Sequence, residues 1–393
     1  MQNDRYKGRL IGENVLGPLL FGFVRRIKEF ADEENPEKII FLSRDGMIMK
    51  KAFDIMYKKE YQTIYAYASR RALTVPLLWM CSELDQVEKY IHFHRNISVG
   101  KIFEKLGLEM NDYQDILENN GLNKESIITE AHLYDNKRFV DTYRTIRNDI
   151  EENARYEYPF AKRYWQAIIG NSKSCFVVDI GWSGSSQNAI QLLIGTRKSG
   201  IQIHGIYLGT IPYNMYSNKM DGYLCSFCHD QEVFTELLDY MSVVELLFSS
   251  EQPSVKKYGK HGVEFYDSDY KEDESMLIDE RILLSEIHEG ALMFLTEAVN
   301  SGIQLSDDEC KSGLFNLGTK PSLQAAELIG DCRTYDYEMA YIARPKSGRF
   351  NSSEYGIVSW KNGYMRRCFP SNCTYRAMKR FAGAVRSFVR KKK

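Results

Sequence analysis

"CFVVDIGWSGSSQNAI", Cys175 to Ile190, holds in succession an apolar run, one acid, a loop of small residues and the start of a helix. A short apolar run without polar alternation suits a strand buried on both faces, as in a parallel sheet between two helical layers. The same grammar occurs twice earlier. "KIIFL" (38–42) leads through "SRDG" into a helix expected over Met47 to Lys59, and "TIYAYA" (63–68) leads through "SRRA" into another apolar helical stretch. Repetition of strand, loop and helix predicts an α/β fold with a mostly parallel, Rossmann-like sheet flanked by helices.

Working outward, residues 13–33 place Val15, Leu19, Leu20, Phe23, Val24, Ile27 and Phe30 at helical spacing, with Pro36 ending the run. Residues 85–170 are charged and Asn-rich, and read as a helical insertion or cap. Pro159 and a helix to Ile169 then lead into the strand Ser174 to Asp179. Further strands are expected at 201–209 and 222–227, a helix at 240–250, and a hairpin turning at Gly259-Lys260-His261-Gly262. Residues 280–345 read as helical, with Thr319-Lys320-Pro321 opening one helix. The expected regions are 1–84 and 171–265 for the two parts of the α/β core. Residues 85–170 form the cap, and 266–393 a helical C-terminal region.

With 44% hydrophobic residues the chain can build a sizeable core, so global disorder is excluded. A net charge of −1 argues against a surface built for nucleic acid. The eight cysteines are scattered, and the opening "MQNDRYKGRLIGE" lacks the apolar segment of a signal peptide. The expected setting is therefore a reducing cytoplasm. "CSFCH" (225–229) spells a haem-attachment motif, but it follows an expected strand in a cytosolic-looking chain with no haem environment. Zinc would need two further ligands, no second pair lies nearby, and buried cysteines are the simpler reading.

Ligands of an open parallel sheet bind beyond the carboxyl ends of its strands. Three polar motifs fall there: Ser43-Arg44-Asp45-Gly46, Ser69-Arg70-Arg71, and Asp179 with Gly181-Trp182-Ser183-Gly184-Ser185-Ser186. Gly181 and Gly184 permit a tight turn, and Ser183, Ser185 and Ser186 supply hydroxyls. With the amides of the following helix, they suit a phosphate. The loop is neither a P-loop, having no Gly-Lys-Ser/Thr, nor a dinucleotide fingerprint. A helix merely capped by serines is the competing reading. Asp179 suits ribose hydroxyls or Mg²⁺ instead of phosphate. Acid, gap, Ser-Gly-x-Ser and helix follow the logic of a ribose-5-phosphate loop. Arg44, Arg70 and Arg71 would take a pyrophosphate, and Asp45 would ligate Mg²⁺ or orient Arg44.

Together, "IIFLSRDGMIMKKAFDI", "YAYASRRAL", "VVDIGWSGSSQ" and "VVELLFSSEQPSV" resemble the glycan phosphoribosyltransferase domain of bacterial ribofuranosyltransferases, over roughly residues 12–260. Such domains are often described as haloacid-dehalogenase hydrolases. The resemblance implies a phosphoribosyl pyrophosphate donor and a surface-glycan acceptor, of O-antigen or capsule type and lipid-linked. It makes Glu245 a site candidate, orienting an arginine or activating the acceptor hydroxyl; an ordinary helix-surface glutamate is the alternative. The family's phosphatase domain is not spelled here. Asp267-Ser268-Asp269 lacks the residues that follow its nucleophile, so a separate phosphatase is expected to remove the 5-phosphate. A dehalogenase-type phosphatase and a non-catalytic phosphosugar-binding module are the alternatives.

Two residual features complete the reading. His204, on an apolar strand, is expected to be a satisfied core histidine. From Arg376 to Lys393 the chain carries eight Lys or Arg and no acid, with Met378, Phe381, Val385 and Phe388 on one helical face. Such a helix can rest on an anionic membrane at its cytoplasmic face, or dock on the protein body. No aromatic stacking motif accompanies it, so nucleic acid is not an expected partner.

Overall fold

The computed structural model describes residues 2–58, 60–195, 200–211, 219–226, 230–266, 280–334 and 340–380. Helix α1 (Gln2–Ile11) runs through one π turn (Gly12–Leu16) into α2 (Gly17–Glu34). Pro18 lies in the first turn of α2. Asn35, left-handed at φ 48°, closes that helix by donating its N–H to the Ala31 carbonyl at 2.9 Å. The stop is thus a left-handed cap one residue before Pro36.

Five parallel strands form the central sheet: β1 (Lys38–Leu42), β2 (Thr63–Ala66), β3 (Ser174–Asp179), β4 (Gln202–Tyr207) and β5 (Lys219–Gly222). Their spatial order is β2-β1-β3-β4-β5. The apolar runs follow from burial on both faces. Ile39, Phe41, Phe176 and Val178 enter one core, whereas Ile40, Leu42, Cys175 and Val177 enter the other. A strand has period two, so a run serving two cores has no polar position to spare.

The connections place the ligand crevice. From β1 the chain passes to α3 (Gly46–Tyr57) in the first core, and from β3 to α6 (Ser185–Ile194) in the second. β1 and β3 are neighbours whose following helices lie on opposite faces, so a crevice opens between their carboxyl ends. The short helix α4 (Arg70–Thr74) follows β2 at the same end of the sheet.

The cap owns a separate core, drawn from Val75 through Ala154, so it begins about ten residues before the expected position 85. Helix α5 (Lys137–Ile169) belongs to both units and runs straight through Pro159. Its first half supplies Phe139, Tyr143, Ile146 and Ile150 to the cap, and its last turns supply Ala161, Trp165 and Ile169 to the sheet.

Helix α7 (Met241–Phe248) precedes the hairpin of β6 (Val255–Gly259) and β7 (Gly262–Phe265). Tyr258 anchors this hairpin: its ring stacks on Tyr164 at 4.5 Å, and its hydroxyl donates to the Tyr67 carbonyl at 2.8 Å. Helix α8 (Glu280–Ser301) then lies across α1 and α2 in the first core.

Three sequence expectations shift. The strand expected at 222–227 is β5, three residues earlier, and Tyr223 to Ser226 follow it as bends and loop. The helix expected to open at Thr319-Lys320-Pro321 starts at Leu323, where the Ser322 hydroxyl accepts the Ala325 N–H. Residues 280–345 are not wholly helical, since Arg333–Thr334 pairs antiparallel with Ala340–Tyr341. His204 is buried as expected, with Nε2 2.7 Å from Asp221 and Nδ1 2.9 Å from Glu34. The bond with His204 holds the Asp221 carboxyl below its usual range.

Candidate functional site

A cleft of about 410 Å³ opens at the carboxyl ends of β1, β2 and β3, at the switch point. The loops after β1 and β2 are tied by one hydroxyl: Ser43 donates to the Ala68 carbonyl at 2.9 Å and accepts the Ala68 N–H at 2.8 Å. This bridge sets Arg44 and Asp45 beside Arg70 in the cleft wall. Ser69 caps α4 by accepting the Ala72 N–H, and it donates to the Val255 carbonyl at 2.7 Å. Its hydroxyl is committed to structure, while Arg70 remains exposed at the cleft.

The loop after β3 forms the opposite wall. Asp179 ends the strand and accepts the Ile180 N–H at 2.8 Å. Gly181 has φ 144°, and a Cβ there would lie against the Gly209 carbonyl oxygen. Gly184 has φ 72°, occupies the N-cap of α6 and backs onto the Met220 sulfur. A glycine N-cap offers no side-chain oxygen to the first amides of the helix. The serine-capped reading therefore fails at that position, and Ser183, Ser185 and Ser186 line the cleft. Gly181→Ala is expected to destabilise the fold by about 1–3 kcal/mol, read by urea unfolding. An unchanged midpoint would show that the turn relaxes freely.

Electrostatics single out Asp179. Burial, and then the nearby Asp45 carboxylate, push its carboxyl up to about 8, against the Ile180 N–H and the Arg70 charge. Two carboxylates that oppose each other's ionisation are a natural seat for a divalent cation. Among the described residues no group of three or more His, Cys, Asp or Glu forms a protein-only cage. Asp45 and Asp179 are the carboxylates here that could hold a divalent cation, with ligand oxygens and water completing its shell as is usual at phosphate sites.

Helix α7 brings Glu245 to the cleft, where it accepts the Trp182 indole N–H at 3.2 Å. Sequence reasoning missed three titratable residues in the wall. His92 comes from the cap; burial, then Arg70 and Lys105, push its imidazole down to about 4, so it is neutral at pH 7. Glu280 and Arg333 form a buried pair at 3.3 Å on the far wall. No local spacing flags them, because α8 and a distant ribbon bring them in.

Arg71 is the principal correction. It does not line the cleft: its guanidinium forks onto Glu157 of α5, with both bonds at 2.7 Å, and also donates to the Lys256 carbonyl at 2.8 Å. Its charge is answered inside the protein, and of the three arginines expected to hold an anion only Arg44 and Arg70 line the cleft. Gly184 is likewise corrected from a ligand-contacting residue to a turn residue behind the loop, outside the cleft lining.

Asp267-Ser268-Asp269, Cys228, His229 and residues 381–393 of the basic tail lie outside the described residues. Cys225 is buried, and residues 372–380 are helical. Among the described residues no helix is long and apolar enough to cross a membrane. No protein-family model matches the chain, and no curated protein is similar to it in sequence.

Proposed function

We propose that this protein is a glycan phosphoribosyltransferase. It moves 5-phosphoribosyl from phosphoribosyl pyrophosphate to a hydroxyl of a bacterial surface-polysaccharide acceptor and releases pyrophosphate. One observation carries the reading: the switch-point cleft gathers Asp179, Ser183, Ser185 and Ser186 with Arg44, Arg70 and Asp45 in its lining. A ribose phosphate fits the first set, with its hydroxyls on Asp179 and its 5-phosphate on the serines and the α6 amides. A pyrophosphate fits the second, held by two guanidinium groups.

In the reaction the acceptor oxygen forms a bond to the anomeric carbon, and the bond from that carbon to pyrophosphate breaks. The hydroxyl proton passes to a carboxylate. Asp45 and Glu245 are the candidates, and Glu245 is favoured because the Trp182 indole holds it where the cleft meets an adjoining groove. Mg²⁺, when bound with the donor at Asp45 and Asp179, supplies positive charge to the leaving group. The chain's own contribution is positioning, together with arginine charge placed where negative charge accumulates. The basic composition of Arg376–Lys393 suits an anionic membrane surface near lipid-linked acceptors.

Calorimetric titration of phosphoribosyl pyrophosphate with Mg²⁺ tests the donor assignment. Micromolar binding is expected in the wild type, weakened about ten-fold or more by Arg44→Ala. Absence of binding to the wild type would overturn the assignment.

A further inference from the structure

We infer that the groove between the cap and the sheet is a binding subsite for an uncharged pyranose ring of the glycan acceptor, with the exposed Tyr134 ring as its stacking platform. The inference rests on the transferase reading above for the ring's role as acceptor, but its binding chemistry stands apart from the donor.

This groove, about 620 Å³, is a second cavity that shares Arg70, His92, Trp182 and Glu245 with the donor cleft as a common wall. A molecule lying in it can therefore reach Glu245, the carboxylate favoured as the proton acceptor. The outer end is built differently. The His132 and Tyr134 rings are stacked at 4.7 Å and 8°, and Tyr134 is 47% exposed. An exposed aromatic face lining a groove can stack on the apolar C–H face of a sugar ring. Here the exposed pair is held in place deliberately. Glu88 grips the segment at two points, with one oxygen 2.7 Å from His132 Nδ1 and the other accepting the Leu133 N–H at 2.8 Å. The Lys105 ammonium donates to the Ile91 and His92 carbonyls at 3.2 Å, fixing the loop that carries His92 into the common wall.

The chemistry selects the ligand. A pyranose presents an apolar C–H face suited to an aromatic ring and equatorial hydroxyls suited to mixed donors and acceptors. The groove offers both: Tyr134 with Phe93 and Trp182, and Asp85 and Glu88 interleaved with Lys89 and Lys105. Carboxylates and ammonium groups in near balance give no strong pull on a charged ring, which disfavours a second phosphate or an acidic sugar. The arrangement differs from the donor cleft, where the arginines and the serine loop favour anions.

Saturation-transfer NMR on the full chain tests this with a mixture of the methyl glycosides of glucose, galactose, mannose and N-acetylglucosamine as probes. At least one glycoside is expected to receive saturation on its ring C–H protons. Tyr134→Ala is expected to weaken that binding about five- to ten-fold, with phosphoribosyl pyrophosphate affinity unchanged in the same sample. Tyr134 is solvent-exposed, so the variant folds; its urea midpoint serves as the control. No transfer to any glycoside in the wild type, or transfer that survives Tyr134→Ala, overturns the subsite. Glycoside binding that depends on Tyr134 in a protein that fails to bind phosphoribosyl pyrophosphate would uphold the subsite and remove the donor assignment instead.

Discussion

Asp179→Asn is expected to weaken phosphoribosyl pyrophosphate binding about ten- to hundred-fold while making the metal-free fold more tolerant of alkali. The two effects have one cause. The carboxyl of Asp179 is pushed up to about 8 by burial and then by Asp45, whereas an unfolded aspartate titrates near 3.9. Between these values the folded protein keeps a proton that the unfolded chain has released. Stability from this group is therefore present below about pH 4, falls as pH rises, and levels off beyond about pH 8. Asparagine has no proton to lose. In chelator, the stability of the variant relative to wild type should grow from pH 5 to 8 and then level off, as read by urea unfolding. A difference independent of pH would show that Asp179 is already ionised in the empty fold. The same linkage predicts that binding the donor with Mg²⁺ at pH 7 releases a proton, visible as a calorimetric heat that depends on the buffer.

Arg71→Ala is expected to cost about 3–5 kcal/mol. Its partner Glu157 is 3% exposed and would keep a charge with no guanidinium to answer it. Replacing both residues with methionine should recover most of the loss, because the penalty comes from the stranded carboxylate and not from the pair itself. Per folded molecule, donor affinity should not change. Arg70→Ala should do the opposite: stability within about 0.5 kcal/mol of wild type, with donor affinity reduced. Urea unfolding and calorimetry on the two variants make the comparison, and matching behaviour from the neighbouring arginines would refute the division of labour.

That division marks where the sequence stops being legible. Strand, loop and helix could be read at "KIIFLSRDG" and "CFVVDIGWSGSS" because burial on two faces leaves a continuous apolar run and a polar loop at its end. Asp45, Arg44, Asp179 and the serines follow directly from those loops. Arg70 and Arg71 are indistinguishable in sequence. One residue of helical rotation, about 100°, turns one to the cleft and the other to α5, and only the packing of α4 settles the phase. His92, Glu280 and Arg333 were beyond reach for another reason: each joins the cleft through an element remote in sequence, so no spacing records them. Pro159 does not interrupt α5, because the helix is held by two cores and its packing outweighs one missing backbone bond.

Helix α5 also bears on how this architecture can change. A cap inserted between two loops could be exchanged for another or trimmed away without harm to its host. Here the last turns of the cap's own longest helix are the floor on which β3 and the hairpin rest, through Trp165 and Tyr164. Excising residues 85–170 would strip one face of the sheet. The cap and the sheet are thus one structural unit, and the cap cannot be removed without taking part of the sheet's own packing with it.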